Sequence, residues 1–286
     1  MNRLRREVHS NPHWESNMNL KKYLALTRLG MMEKLHYRLG TFVTLFGNLI
    51  YLVLIYFLWK AIYASSGTDV VNGMTLNDTL VYLVLATALF NFLEVFLVWD
   101  MSREIQSGAI VLKLLKPMSF RGYSFWSYIG ENIMSFFLTF LPTFIIINIL
   151  TNGSIALGFN LFFFVVSVIM ALVINFSIDM IVATICLYTE STWGINIVKE
   201  CIVLLLSGAS IPLAFFPEAL RNVVQYLPFR CIYDTPLSVL LQKSGYTWGT
   251  GLLSSLLLQL GWCIALGLVG SAFWSVSLKK ITVNGG

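Results

Sequence analysis

Three carboxylates stand inside long apolar runs, where a charged side chain at the bilayer centre costs about 2.5–3.5 kcal/mol on insertion scales. Glu94 follows Asn91-Phe92-Leu93, Asp179 comes four residues after Asn175 and shares its helical face, and Glu131 with Asn132 opens a further apolar stretch. Two kinds of chemistry suit such groups. They can line a translocation path or couple helix movements, for which Glu94, Asn175 and Asp179 are the candidates; or they can hydrogen-bond between helices, or stay protonated inside protein. Both readings stand on sequence. Covalent catalysis has little support: His9, His13 and His36 are all N-terminal, and no HExxH, GxSxG or paired intramembrane aspartyl motif occurs. Cys186, Cys201, Cys231 and Cys263 are isolated, so neither a metal nor a redox centre is expected. No Gly-x-x-x-x-Gly-Lys-Ser/Thr phosphate cradle is present, and Leu205-Leu206-Ser207-Gly208-Ala209 is an apolar helix end rather than an ATPase signature loop. The chain itself is expected to be neither an enzyme nor a cofactor carrier.

These carboxylates are unusual because of what surrounds them. The chain has 286 residues, is 57% hydrophobic and only 12% charged, with a mean hydropathy of +0.75, and its charges collect at the ends of apolar runs. That is the distribution a bilayer demands, and it excludes a soluble domain. The net charge of +5 forms no basic stripe interleaved with aromatics, so nucleic acid is not an expected partner. The reading is an all-α integral membrane protein. Apolar stretches long enough to cross a hydrocarbon core of roughly 30 Å fall at about 41–63, 79–99, 130–150, 159–188, 195–211 and 251–276. Six crossings put both termini on one side. Of the 19 Lys and Arg, all but Lys60, Arg221, Arg230 and Lys243 then share that side, which predicts cytoplasmic termini.

The connections carry further expectations. Residues 1–18 lack periodicity and read as a mobile cytosolic tail. Residues 19–40 place Leu20, Tyr23, Leu24, Met31 and Leu35 on one face flanked by Lys21, Arg28 and Lys34, an interfacial amphipathic helix or a helix packed on protein. Residues 100–123 read as a helix on the inner face, ended by Pro117. Thr151–Ser154 reads as a tight outer turn and Thr189–Gly194 as a short inner link, making spans three, four and five adjacent. Residues 207–236 hold Pro212, Pro217, Pro228 and Pro236 among apolar residues, which excludes a continuous helix and predicts short re-entrant helices dipping into the outer leaflet.

Two of these segments resemble a known family. Arg103-Glu104-Ile105-Gln106-Ser107-Gly108-Ala109-Ile110, followed by Leu114, Leu115, Lys116 and Pro117, is similar to the "charged, Glu-Ile, two residues, Gly, then Leu and Pro" element of ABC-2 family permeases. Ser207-Gly208, Ile211-Pro212-Leu213, Phe216-Pro217, Leu220 and Leu227-Pro228-Phe229, closed by Pro236, is similar to the re-entrant region of the same permeases. With the six-span layout, the likeness covers roughly residues 20–280, that is, the N-terminal helix together with the permease domain read over 41–280.

The resemblance implies the transmembrane subunit of an ATP-binding cassette exporter, of the branch often found as paired half-permeases. The permease pairs with an identical or a sister chain, and two separate cytosolic ATPase subunits dock below it and hold the ATP and magnesium. It implies an ATPase-coupling role for Arg103, Glu104, Ile105, Gly108, Leu112, Leu115 and Pro117. An outer re-entrant gate would be formed by Gly208, Pro212, Phe216, Pro217, Leu227 and Pro228. A bacterial plasma membrane is the implied location, with the substrate unspecified. The residues also admit an ion- or proton-coupled carrier using Glu94 and Asp179, or a membrane anchor that recruits a cytosolic factor.

Overall fold

A computed structural model describes residues 12–36, 38–116, 118–151, 155, 158–189, 192–242 and 250–278. Residues 1–11 of the expected tail, Pro117, most of the expected outer turn, part of the inner link, and Lys243, Lys279 and Lys280 lie outside the described residues. Helix α1 (Pro12–His36) begins upstream of Asn19, so the last part of the segment read as a mobile tail is helical. Helix α2 (Arg38–Ser66) contains the first candidate span, Phe42–Ser66.

A two-residue hairpin, β1 (Val70–Val71) with β2 (Met74–Thr75), joins α2 to α3 (Leu76–Leu93). Its turn is Asn72-Gly73, with φ of 50° and 79°, the positive-φ pair that a tight hairpin of this hand requires. Thr75 and Asp78 then cap α3 reciprocally: the Thr75 hydroxyl accepts from the Asp78 amide at 3.2 Å and the Asp78 carboxylate accepts from the Thr75 amide at 3.1 Å. The Tyr63 hydroxyl donates to the Met74 carbonyl at 2.8 Å, tying α2 to the hairpin.

Helix α3 stops at Leu93, and α4 (Leu97–Gln106) resumes the same course after three non-helical residues. Helix α5 (Ile110–Leu114) follows a turn at Gly108, whose φ of 73° suits glycine. Helix α6 (Phe120–Ser135) continues through a π turn, Phe136–Phe140, into α7 (Leu141–Leu150). Pro142 accounts for the π turn. It cannot donate to the preceding turn, and the widened backbone lets the chain carry on, helped by the Thr139 hydroxyl donating to the Ser135 carbonyl at 2.6 Å. Helix α8 (Asn160–Ile185) is central, with α9 (Thr192–Leu206), α10 (Glu218–Val224), α11 (Asp234–Leu240) and α12 (Thr250–Leu278) completing the chain.

Among the described residues, five helical segments are long and apolar enough to cross a membrane: 42–66, 76–106, 120–150, 160–185 and 251–278. The second and third extend beyond the expected 79–99 and 130–150, because an apolar window marks only the part of a helix in hydrocarbon while the polar ends continue as helix. The stretch expected as a span at 195–211 overlaps a helix of 15 residues, Thr192–Leu206, roughly 22 Å at about 1.5 Å per residue. Gly208, with φ of 80°, ends it.

Two packed clusters divide the bundle. One joins α3, α8, α11 and the apolar face of α12; the other joins α4, α6, the last turns of α8 and Trp274. The second cluster marks one end of the bundle. Phe120 stacks on Trp274 at 4.7 Å, the Tyr188 hydroxyl bonds Ser277 at 2.8 Å, and Ser102 bonds Thr192 at 2.6 Å. Helix α1 is held at this same end, packed along α6. The contact is backbone against backbone: a Cβ on Gly130 would meet the Thr27 carbonyl oxygen at 2.0 Å, and one on Gly30 the Ser127 carbonyl oxygen at 2.3 Å. Tyr23 stacks on Trp126 at 5.6 Å, and the Thr27 hydroxyl donates to the Trp126 carbonyl at 3.2 Å. Helix α1 therefore has a protein partner over Tyr23–Gly30.

Gly130→Leu should force α1 off α6 and lower stability by about 1–3 kcal/mol. Cysteines placed at Thr27 and Trp126 in the variant should lose the cross-link that the parent forms; a cross-link of undiminished yield would show that the close approach is not required.

Candidate functional site

Glu94, Asn175 and Asp179 gather where α3 breaks. Once the helix stops at Leu93, its last carbonyls lose their helical donors, and the Asn175 side-chain amide, 7% exposed on α8, donates to the Leu93 carbonyl at 2.7 Å. One turn further along α8, Asp179 is 1% exposed and accepts from the Lys199 ammonium of α9 at 2.8 Å. Its second oxygen, Oδ2, has no hydrogen-bond partner. Asn196 donates to Glu200 at 2.5 Å one turn below Lys199. Glu94 is the residue immediately after α3. It borders a pocket of about 60 Å³ shared with Asn175, Asp179, Lys199 and Glu200, and a larger one of about 340 Å³ shared with Lys34, Trp99 and Glu131. Glu94, Asn175 and Asp179 thus come together in one layer, as their spacing allows. Lys199 was missed: on sequence it reads only as an inner-side topology charge, and α9 carries it into the bundle beside Asp179.

The segment after the break forms an elbow. Helix α4 contacts α8 and α9, and the Tyr128 hydroxyl donates to Asp100 at 2.8 Å. Arg103 is exposed and bridges to Asp100 at 2.5 Å. Glu104 is turned inward, bridging to Lys113 across the Gly108 turn, and Lys113 and Lys116 lie over the Tyr123 ring at 5.2 and 4.0 Å. Ile105 is half-buried in the second cluster, whereas Leu112 and Leu115 project outward, 68% and 75% exposed. Of the residues implied as coupling, Glu104, Ile105 and Gly108 build the elbow, and Arg103, Leu112 and Leu115 are presented by it. Pro117 lies outside the described residues.

At the opposite end, residues 207–241 fold back over the bundle. Pro212 precedes a 3-10 turn at Leu213–Phe215, Pro217 precedes α10, and Pro236 occupies the first turn of α11, all positions where a missing N–H costs nothing. Helix α11 is wholly buried, packed on α8 and α3. Asp234 binds the segment together: its amide donates to the Ser207 carbonyl at 3.2 Å, and its carboxylate accepts from Tyr82 at 3.2 Å and from Arg230 at 3.1 Å. The Tyr82 hydroxyl also reaches the Gly208 carbonyl at 2.9 Å. Pro212 and Pro228 are buried, Phe216 and Leu227 are half-buried, and Pro217 is exposed. Gln259 of α12, 0% exposed, donates to the Ser167 carbonyl at 2.8 Å and the Cys231 carbonyl at 2.9 Å and accepts from the Ser167 hydroxyl. Tyr82, Arg230, Asp234 and Gln259 were not foreseen as organising residues. The i,i+4 pair Arg230–Asp234 and a glutamine inside an apolar run were the available signals.

A family model described as ABC-2 family transporter protein matches residues 49–285. The chain belongs to the ABC-2 transporter family. It is the membrane component, a permease, of an ABC transporter, and the family implies association with an ABC ATPase subunit. No curated protein matches the chain significantly. The match begins inside α2 and includes the α3–α4 break, the elbow and the fold-back segment, so all three features lie within the family region. Among the described residues, no group of three or more His, Cys, Asp or Glu is placed to hold a metal.

Asp179→Asn and Lys199→Met should each destabilise the permease by about 3–5 kcal/mol, because each leaves an unpaired buried partner, and replacing both by apolar residues should recover most of the loss. Thermal unfolding in detergent measures it; additive single losses would show that the pair is not coupled.

Proposed function

We propose that the chain is the transmembrane half of an exporter, driven by ATP and magnesium bound in two cytosolic ATPase subunits and paired with a second permease, identical or a sister chain. The observation that carries the reading is the elbow: within the region matched by the family, Leu112 and Leu115 stand exposed at the bundle end where α1 and the last turns of α12 also gather. Most Lys and Arg belong to segments at that end, which supports a cytoplasmic placement of both termini. Helix α9 then serves as the fifth of six crossings, its short length completed by residues 207–216, with α10 and α11 as re-entrant elements on the outer side. A bacterial plasma membrane suits this arrangement.

In this reading the ATPase grips the elbow. Nucleotide-driven closure of the ATPase pair displaces α4, and the displacement passes to α9 through Ser102–Thr192, to α8 by direct packing, and across the break to the end of α3 that Asn175 holds, a rigid-body switch between inward-facing and outward-facing states. The fold-back segment around Asp234 closes the outer side until the bundle rearranges. The Asp179–Lys199 pair favours a role in tying α8 to α9 over a freely titrating carrier carboxylate.

Gentle solubilisation of native membranes with a tagged chain should recover a cytosolic ATPase and vanadate-sensitive ATP hydrolysis. Leu112→Glu with Leu115→Glu should cut recovery of the ATPase about tenfold or more while leaving the thermal stability of the permease unchanged. Recovery of the chain alone, without ATP hydrolysis, would refute the reading.

A further inference from the structure

The α3–α4 break opens on two cavities. The larger, on the side of α1, α2 and α6, holds about 340 Å³, within the roughly 300–1,000 Å³ of sites for small organic molecules. The smaller, on the side of α8 and α9, holds about 60 Å³. Glu94 and Phe96 border both, so the carboxylate stands between them.

The charges around the larger cavity do not balance. Asp100 is neutralised by Arg103 at 2.5 Å. Among the described residues, Glu94 and Glu131 have neither a hydrogen-bond nor an ion-pair partner, Glu33 adds a third carboxylate, and Lys34 is the remaining cation that faces them. In the smaller cavity Lys199 satisfies one oxygen of Asp179, whose Oδ2 is buried and unpartnered. Glu94 and Glu131 are half-buried, and an uncompensated carboxylate so placed is relieved either by a proton or by a positive ligand. The rest of the wall mixes the small polar side chains of Thr44, Asn91, Ser135 and Thr139 with Phe96 and Trp99, two aromatic residues of the kind that attract cations and apolar bodies alike.

We propose that the larger cavity receives a lipophilic cation, with its positive charge between Glu94 and Glu131 and its apolar body against Phe96 and Trp99. This names the chemical class of the cargo, and it rests on the export reading only for the direction of movement. The cation is either a membrane lipid carrying an ammonium headgroup or a lipophilic cation from the cytosol.

Equilibrium dialysis tests it on the full chain, with whatever subunits co-purify, in an uncharged maltoside detergent and without nucleotide. The probes are tetraphenylphosphonium and tetraphenylborate, which share a shape and differ in the sign of their charge. Phosphonium is expected to bind and borate not; Glu94→Gln and Glu131→Gln should each weaken phosphonium binding about tenfold or more. Lys34→Gln should tighten it, a gain that misfolding does not produce. Displacement by added phosphatidylethanolamine supports a lipid ammonium as the resident cation, and phosphonium binding that resists it supports a cytosolic one. Equal binding of the two probes, or phosphonium affinity unchanged in all three variants, overturns the proposal. The readout needs no ATPase, so it fails or holds independently of the export reading.

Discussion

A carbonyl left open at membrane depth must find a donor within the protein, because hydrocarbon supplies none. In this chain that carbonyl belongs to Leu93, and its donor is Asn175. The interaction satisfies one of the carbonyls that α3 frees where it stops. It places Glu94 at the seam between two cavities and fixes α8 against the one discontinuous helix that leads directly to the elbow. Asp179 and Lys199 extend the same arrangement by one turn, joining α9 to α8 with a pair so buried that each partner depends on the other.

The end of the bundle opposite the elbow meets the same constraint by different means. Ending α9 at Leu206 frees carbonyls at Ser207 and Gly208, which are taken up by the Asp234 amide and the Tyr82 hydroxyl. Prolines are confined to places where no donor is needed, so a segment that cannot be one helix still folds with its polar backbone satisfied. Gln259 does comparable work in the middle of α12, bridging α8 and the loop before α11. The two ends differ in character. The end around Asp234 is locked by a charged and hydrogen-bonded network, whereas the elbow at the other end presents apolar side chains outward.

The membrane class, the positions of five long apolar helices, the interruption of the 207–236 segment and the family were legible because each follows from hydropathy, proline placement or a local motif. Asn175 and Asp179 were legible as a pair on one face because their spacing is helical. Their partners were not, since the Leu93 carbonyl and the Lys199 ammonium come from elements far away in sequence, and only tertiary packing brings them together. The extent of α1 and its seat on α6 escaped for a related reason: Gly30 and Gly130 are unremarkable until their backbones meet. The hairpin at Asn72-Gly73 is a different case. Its turn signal is plain in the sequence, but the flanking strands are two residues each and leave no alternation to detect.

Transmission from the elbow through α4 to the rest of the bundle is best measured by pulsed electron–electron distance spectroscopy between spin labels at Arg103 and Leu268, both exposed, in the assembled complex. Trapping the ATPase with ADP and vanadate should shift the distance distribution in the parent chain, and Asn175→Leu should abolish or broaden that shift while the ATPase stays bound. A distribution that does not change on trapping, or that shifts equally with Asn175 removed, would contradict a mechanism in which α4 moves against α8 through the break.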